Sequence, residues 1–507
     1  MTNTLFDALM APHKGEARDF LILPDGSSLS YDDIHRLSGR LANLLTAQGV
    51  KPGDRVAVQV QKSPEALALY LATIRAGAVF LPLNTAYTPA EIAYFVGDAE
   101  PALVVCDPAR AARRDDFLPD GGKLMTLDAD GKGDLIEAAI CHAEVQNPVP
   151  RRGDDLAAIL YTSGTTGRSK GAMLSHDNLL SNARVLADAW RFTSEDVLLH
   201  ALPIFHTHGL FVASNVLMLA GGAMIWLPKF DAAQVIELLP RATSMMGVPT
   251  FYTRLLDRPD FTGELVQKMR LFTSGSAPLL AETHRAFEDR TGHRILERYG
   301  MTETNMNTSN PYEGERRAGT VGFPLPGVAL RITGEDGSLL PRGEIGQIEV
   351  RGDNVFQGYW RMPDKTAEDL APDGWFRTGD LGMIDPDGYV VIVGRGKDLI
   401  ISGGFNIYPK EVELLIDEMP GVLESAVIGV PHPDFGEGVV AVIARAEGAE
   451  PDPDAIIADL SDRLARFKQP KKVMIIDELP RNTMGKVQKA ALRAEYAELF
   501  SGRDQTR

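Results

Sequence analysis

Thr162-Ser-Gly-Thr-Thr-Gly-Arg-Ser-Lys-Gly171 follows the apolar run Leu156 to Leu160, and its composition sets how the chain is read. Three glycines, three threonines, two serines and two cations fall within ten residues. Glycines let backbone N–H groups approach an oxyanion closely, hydroxyls donate to it and cations balance its charge. The stretch is therefore suited to wrapping phosphate. Its spacing excludes a Walker A loop, because five residues after Gly164 stands Ser169 where that pattern requires glycine.

Upstream of this loop, helix and strand signals alternate. Ser30-Tyr-Asp-Asp33 resembles an N-cap, and Ile34, Leu37, Leu41, Leu44 and Leu45 behind it form a stripe at helical spacing ended by Gly49. Val56 to Val60 reads as a strand, Ser63-Pro64-Glu65 opens another helix, and Ala78 to Leu81 reads as the next strand. This βα rhythm predicts doubly wound, largely parallel sheets with helices on their faces. From about Gly319 short strand-like runs separated by Pro- and Gly-containing turns predict a small β-barrel or mainly antiparallel module. After Gly394-Arg-Gly-Lys-Asp398 a compact α+β unit is expected. It has helices near Pro409 and Asp454 and strands at Ala426 to Val430, Val439 to Ala444 and Val473 to Ile476. The boundary is placed so that residues 1–396 form a large N-terminal domain and 397–507 a smaller, mobile C-terminal one.

The bulk numbers limit the partners. A chain of 507 residues exceeds a single core. A formal net charge of −17 argues against a surface built for nucleic acid or anionic membrane. Anionic substrates must then be attracted by local groups against the mean field. Two cysteines, Cys106 and Cys141, provide neither a disulfide framework nor a metal cluster and fit a reducing cytosol. The N-terminus lacks a basic segment followed by a sustained apolar one, so no signal peptide is expected. The uncharged stretch Gly209 to Pro228 is long enough to span a bilayer. Ser214, Asn215 and the Gly221-Gly222 pair divide it into a buried helix, turn and strand, so the expectation is a cytoplasmic protein without membrane insertion.

Four further motifs follow the phosphate loop: Tyr299-Gly-Met-Thr-Glu303, Phe376-Arg-Thr-Gly-Asp380, Gly394-Arg395-Gly-Lys397-Asp398 and Pro480-Arg-Asn-Thr-Met-Gly-Lys486. One of them alone is weak evidence. Five in this order resemble the adenylate-forming superfamily of acyl-CoA synthetases, peptide-synthetase adenylation domains and luciferases, over nearly the whole chain. The resemblance implies ATP, Mg²⁺ and coenzyme A as reactants and cofactor. Thr162, Ser163, Gly164, Thr165, Thr166, Gly167 and Lys170 are expected around the phosphates. Gly275, Ser276, Ala277, Glu297, Tyr299, Gly300, Met301 and Thr302 complete the ATP side. Glu303 supplies a hard oxygen for Mg²⁺, and Thr302 donates to a phosphate oxygen. Asp380, in a Gly-Asp turn, accepts ribose hydroxyls, and Arg395 binds ribose or phosphate as a planar fork. Lys486, on a mobile loop, enters for adenylation and leaves afterwards. Lys397 matches the pivot, and Ser402, Gly403 and Gly404 border the pantetheine channel.

For the acid, His206-Thr-His-Gly209 has neither a cysteine nor a third ligand that would make it a zinc site. His206 is read instead as bordering the acyl pocket and contributing to catalysis there. Ser276 lines the same pocket, and Arg285, two turns into the following helix, is expected to reach back and pair a second carboxylate before burial. The run of these segments with Tyr299 to Met306 resembles malonyl-CoA synthetases. That implies malonate, with methylmalonate accepted if the pocket beside Thr207 and Met306 allows one more methyl. A ligase for another short- or medium-chain acid, and an adenylation enzyme loading a carrier protein, remain the alternatives.

Overall fold

The computed structural model describes residues 2–162, 169–403, 405–482 and 486–500. Two α/β sheets make up most of the large N-terminal part. In the six-stranded sheet, Leu124–Thr126, Leu103–Cys106, Arg55–Gln59, Val79–Pro82 and Leu156–Thr162 run parallel, and Lys170–Ser175 closes one edge antiparallel. The nine-stranded sheet has a parallel centre, including Val197–His200, Ser244–Gly247, Leu271–Ser274 and Leu296–Met301, with antiparallel strands at both ends. Thr162, His200, Ser274 and Met301 are thus all carboxyl-terminal ends of strands, where open α/β sheets place their ligands.

Local chemistry explains the elements. Tyr31–Ala47 starts in a capping box, with the Asp33 amide donating to Ser30 Oγ at 3.1 Å and the Ser30 amide to Asp33 Oδ2 at 2.9 Å. Its apolar stripe buries Ile34, Leu41, Leu44 and Leu45. The uncharged stretch near residue 215 is a wide helical turn His208–Ser214, a helix Asn215–Ala220 ended at left-handed Gly221, and the strand Ala223–Trp226. Among the described residues no helix is long and apolar enough to cross a membrane.

The segment after Gly319 differs from expectation. Ala329–Thr333, Gly346–Arg351, Phe376–Ile384 and Val390–Arg395 form a four-stranded antiparallel sheet in sequence order, and among the described residues its two edge strands do not pair. It is an open sheet and not a barrel. The smaller C-terminal part is α+β as expected. Its sheet runs Phe405–Ile407, Ile400–Ser402, Gly436–Arg445 and Val422–His432, with Lys472–Ile476 parallel to Gly436–Arg445.

Buried imidazoles make stability depend on pH. His176 is fully buried and accepts the Leu5 amide at Nδ1 at 3.2 Å; burial pushes its pKa down to about 4, as it does for His35. Both are neutral when folded and bind protons more readily when unfolded. The stability they contribute is complete above about pH 6.5 and is lost as pH falls through about 4, on the order of 3 kcal/mol per group. We expect the midpoint of urea unfolding to fall steadily from pH 7 to pH 4.5, and to fall less in a His176→Gln variant.

Candidate active site

Residues 163–168 lie outside the described residues, so Ser163, Gly164, Thr165, Thr166 and Gly167 are not placed. The loop's two ends are. Thr162 pairs with Lys170 across the strands, and its Oγ1 donates to the Lys170 carbonyl at 3.4 Å. The Lys170 ammonium stands 4.2 Å over the Tyr359 ring and 3.7 Å from Asp369 Oδ2. Tyr359 OH donates in turn to Glu303 Oε1 at 3.2 Å.

Glu303 is held by a hairpin tip. Met301 pairs with Asn305, leaving Thr302, Glu303 and Thr304 as the turn, and Asn305 adopts the left-handed conformation (φ 51°) that asparagine tolerates. Gly300 is required beneath it, because a Cβ there would lie 1.8 Å from the Asn305 carbonyl. The Glu303 carboxyl is buried, which raises its pKa, while Lys170 and Arg395 pull the other way.

A second corner joins both domains. Tyr299 OH donates to Asp380 Oδ2 at 2.5 Å, and Arg395 Nε to Asp380 Oδ1 at 2.7 Å. Asp380 lies within the strand Phe376–Ile384, not in the turn expected from its Gly-Asp pair, and it faces Arg395 across the sheet. Each carboxylate oxygen keeps a free lone pair. Lys486 approaches from the C-terminal domain. Lys486 is exposed overall, yet desolvation by the surrounding protein lowers its pKa. Arg395 and Arg298 add to that lowering, while Asp380 and Glu303 oppose it. His206, half-buried and pushed down to about 3 mainly by desolvation, feels the same lysine.

The third corner is the one that sequence reasoning misassigned. Arg285 is exposed on the outer side of the helix Ala281–Thr291, whose buried residues are Thr283, His284 and Phe287. It therefore does not reach back toward Ser276. Arg298 occupies the inside. It is 3% exposed, and its Nε and Nη2 have no hydrogen-bond partner among the described residues; burial pushes its pKa down to about 9. Gly275 makes room for it, since a Cβ there would sit 2.4 Å from the guanidinium carbon. Ser276, at a left-handed φ of 71°, brings Oγ to 3.3 Å from His208 Nδ1. His206 Nε2, Thr207 Oγ1 and His208 Nε2 are likewise buried and have no partner among the described residues. The signal was present in the sequence as a charged residue inside an otherwise strand-like run, between Glu297 and Tyr299.

The remaining expected residues are dispersed around these corners. Glu297 faces away from Arg298, with its Oε1 3.6 Å from His284 Nδ1 and accepting the Gly319 amide at 3.3 Å. Met306 is buried, and its methyl lies close to Gly300. Ala277 is half-buried beside Ser276. In the C-terminal domain Ser402 is buried and Gly403, at φ 59°, donates to the Phe435 carbonyl at 2.8 Å; Gly404 lies outside the described residues. Lys397 lies in a short turn, Gly396–Asp398, bounded by two ion pairs: Arg395–Asp380 before it and Asp398–Arg493 after it, the latter at 2.8 Å.

Comparison with known proteins gives this cleft its family. Residues 10–360 match the model of the AMP-binding enzymes and residues 411–486 that of their C-terminal domain. The ATP-bound structure of MatB from Rhodopseudomonas palustris is 59% identical, covers 99% of this chain and 100% of its own, and superposes with a TM-score of 0.96. The apo structure of MatB, at the same identity and coverage, gives 0.85. Among curated proteins, a malonate–CoA ligase of Arabidopsis thaliana is 33% identical over 96% of this chain and 88% of its own length. A sulfoacetate–CoA ligase of Cupriavidus necator is 36% identical over 94% of each. Relatives of comparable identity are named for aromatic and long-chain acids. The chain therefore belongs to the AMP-binding enzyme family and is an AMP-forming acyl-CoA ligase.

Proposed function

We propose that the acid is malonate. The observation carrying this reading is Arg298, a buried guanidinium with two unpaired donors beside Ser276 and His208. An unpaired buried cation is costly, whereas a planar fork meeting a carboxylate is among the strongest contacts available. One carboxylate of the acid pairs with Arg298 and leaves the other for reaction. That a malonate ligase and a sulfoacetate ligase are among the relatives supports a doubly anionic acid. Thr207 and Met306 border the space where methylmalonate would place its methyl. One methyl changes discrimination by only about 1–3 kcal/mol, so methylmalonate is expected as a slower substrate.

The reaction proceeds in two displacements. A carboxylate oxygen attacks the α-phosphorus in line, the bond to the β-phosphate oxygen breaks, and pyrophosphate leaves. The sulfur of coenzyme A then attacks the acyl carbonyl, AMP departs with the bonding electrons, and the thiol proton passes to solvent. Lys486 and Lys170 stabilise charge around the phosphates, Thr302 donates to one oxygen, and Asp380 accepts the ribose hydroxyls. Mg²⁺ fits at Glu303, whose buried carboxylate needs a cation to hold it ionised. Among the described residues no cluster of three acidic, histidine or cysteine side chains exists, so phosphate and water must complete the shell. When bound, the ion would neutralise phosphate charge.

The two steps are divided between positions of the domain starting near residue 397. Arg395 is tied to the large domain by Asp380 and Asp398 to the small one by Arg493, which leaves Gly396 and Lys397 as the pivot. The higher similarity to the ATP-bound than to the apo relative is consistent with an arrangement poised for adenylation.

The test is ATP- and CoA-dependent AMP release across malonate, methylmalonate, succinate, acetate, butyrate and octanoate, with malonate expected to lead. A monocarboxylate leading would sink the malonate reading and leave the ligase intact. In the same assay Arg285→Ala should match wild type within about twofold, as expected for an exposed side chain.

A further inference from the structure

Beneath the acyl pocket a buried lysine joins the two large sheets. Lys62, three residues beyond the strand Arg55–Gln59, reaches the carboxyl end of Val197–His200 in the other sheet. Its Nζ lies 2.8 Å from His200 Nδ1, 2.7 Å from the His200 carbonyl and 4.2 Å from the centre of the Trp226 ring. Among the described residues no carboxylate pairs with it. Burial pushes this ammonium well below the ordinary lysine range, and what opposes burial is that each of its three N–H directions meets an acceptor.

The contact continues through the imidazole. His200 Nε2 lies 2.9 Å from the Gly209 carbonyl, and a carbonyl only accepts, so Nε2 carries the hydrogen and Nδ1 keeps the lone pair that Lys62 needs. Ser214 Oγ donates to the same carbonyl at 2.9 Å. Gly209 closes the loop that begins after His200, and a Cβ on it would lie 2.0 Å from the Pro203 carbonyl. His206, Thr207 and His208 are the residues just before Gly209, and all three point unpartnered polar atoms into buried space.

We propose that Lys62 is a positioning residue for acid recognition: acting through His200 it fixes the Gly209 carbonyl, and with it the loop presenting His206, Thr207 and His208 to the second acidic group of the substrate. This rests on the dicarboxylate reading above. Without Lys62 the Nδ1 lone pair loses its donor, and only the Gly209 carbonyl is left to favour the hydrogen on Nε2. The alternative tautomer sets a lone pair against the Gly209 carbonyl, and the loop must shift. The corner around Glu303, Asp380 and Lys486 does not depend on this path, so loss of Lys62 weakens acid selection more than ATP binding.

The experiment measures kcat and KM for malonate, propionate and ATP in wild type, Lys62→Met, His200→Leu and the double variant. Lys62→Met is expected to raise the malonate KM roughly tenfold or more and to lower the malonate-to-propionate ratio of kcat/KM by a similar factor. The ATP KM should stay within about twofold. The double variant should be no worse than the worse single one, because both act along one path. Should Lys62→Met fail to fold, Lys62→Gln, which keeps a donor, is read the same way with a smaller shift. Equal losses on malonate and propionate, or additive losses in the double variant, overturn the proposal. A wild type that prefers propionate refutes the dicarboxylate reading and this inference with it. A wild type that prefers malonate, with the ratio unchanged in Lys62→Met, removes only this inference.

Discussion

Arg298→Met is expected to reduce kcat/KM for malonate by about 2–5 kcal/mol of transition-state stabilisation, or one and a half to three and a half decades. The reason is asymmetric. In wild type the buried guanidinium offers Nε and Nη2 with no partner among the described residues, so an incoming carboxylate would meet two N–H donors already desolvated. In the variant the second carboxylate must enter the same buried space without a counter-charge, which is worse than having it in water. Methionine is chosen over alanine because it fills the volume next to Gly275 without restoring a donor. Propionate activity should fall far less, and it rises if the apolar side chain welcomes a methyl group. Parallel steady-state kinetics on the two acids check this. A variant whose losses on both acids are equal would mean that Arg298 supports the fold and does not read the substrate.

The second large effect concerns Lys486. Lys486→Ala removes a cation that feels the charges of Asp380 and Glu303, and it should slow adenylate formation by roughly two to three decades, the usual scale for a lost oxyanion-stabilising donor. The thioester half-reaction offers the sharper comparison. Given preformed acyl-adenylate and coenzyme A, the variant should release AMP at close to the wild-type rate, because in the proposed rotation the small domain carries this lysine out of the site. Stopped-flow measurement of each half-reaction separates the outcomes. Equal losses in both steps would contradict the division of labour between domain positions.

What the sequence made readable was whatever is encoded locally. The capping box at Ser30 and Asp33, the βα rhythm to residue 160 and the five motifs each lie within short windows, and the structure joins Arg395 to Asp380 and Tyr359 to Glu303. Three features depended on pairing between distant segments. The antiparallel run after Gly319 stays open because closure is decided by whether the strands near residues 331 and 392 meet, and periodicity does not encode that. Position within the helix marks Arg285 but does not reveal that Arg298, on a neighbouring strand, is the buried guanidinium. Which of the two is buried depends on Gly275 and on the neighbouring strand Leu271–Ser274. Lys62 gave no signal at all, since its partners His200 and Trp226 lie in another sheet.

The two ion pairs flanking Gly396 and Lys397 have a mechanical meaning. Under the rotation proposed above, each neighbour is clamped to a different body, so turning the small domain would be taken up by torsions at Gly396 and Lys397. Such a hinge would favour neither pose, and the occupancy of each would be set by what the small domain touches at the end of its swing. Ile401, Phe405 and Phe435, exposed on that domain, are the kind of surface whose burial or release weighs on this balance. A change there worth about 1.4 kcal/mol would alter the ratio of poses tenfold without touching any reacting atom. Throughput in such an enzyme is adjustable from its outer skin, while the chemistry of the cleft stays constant.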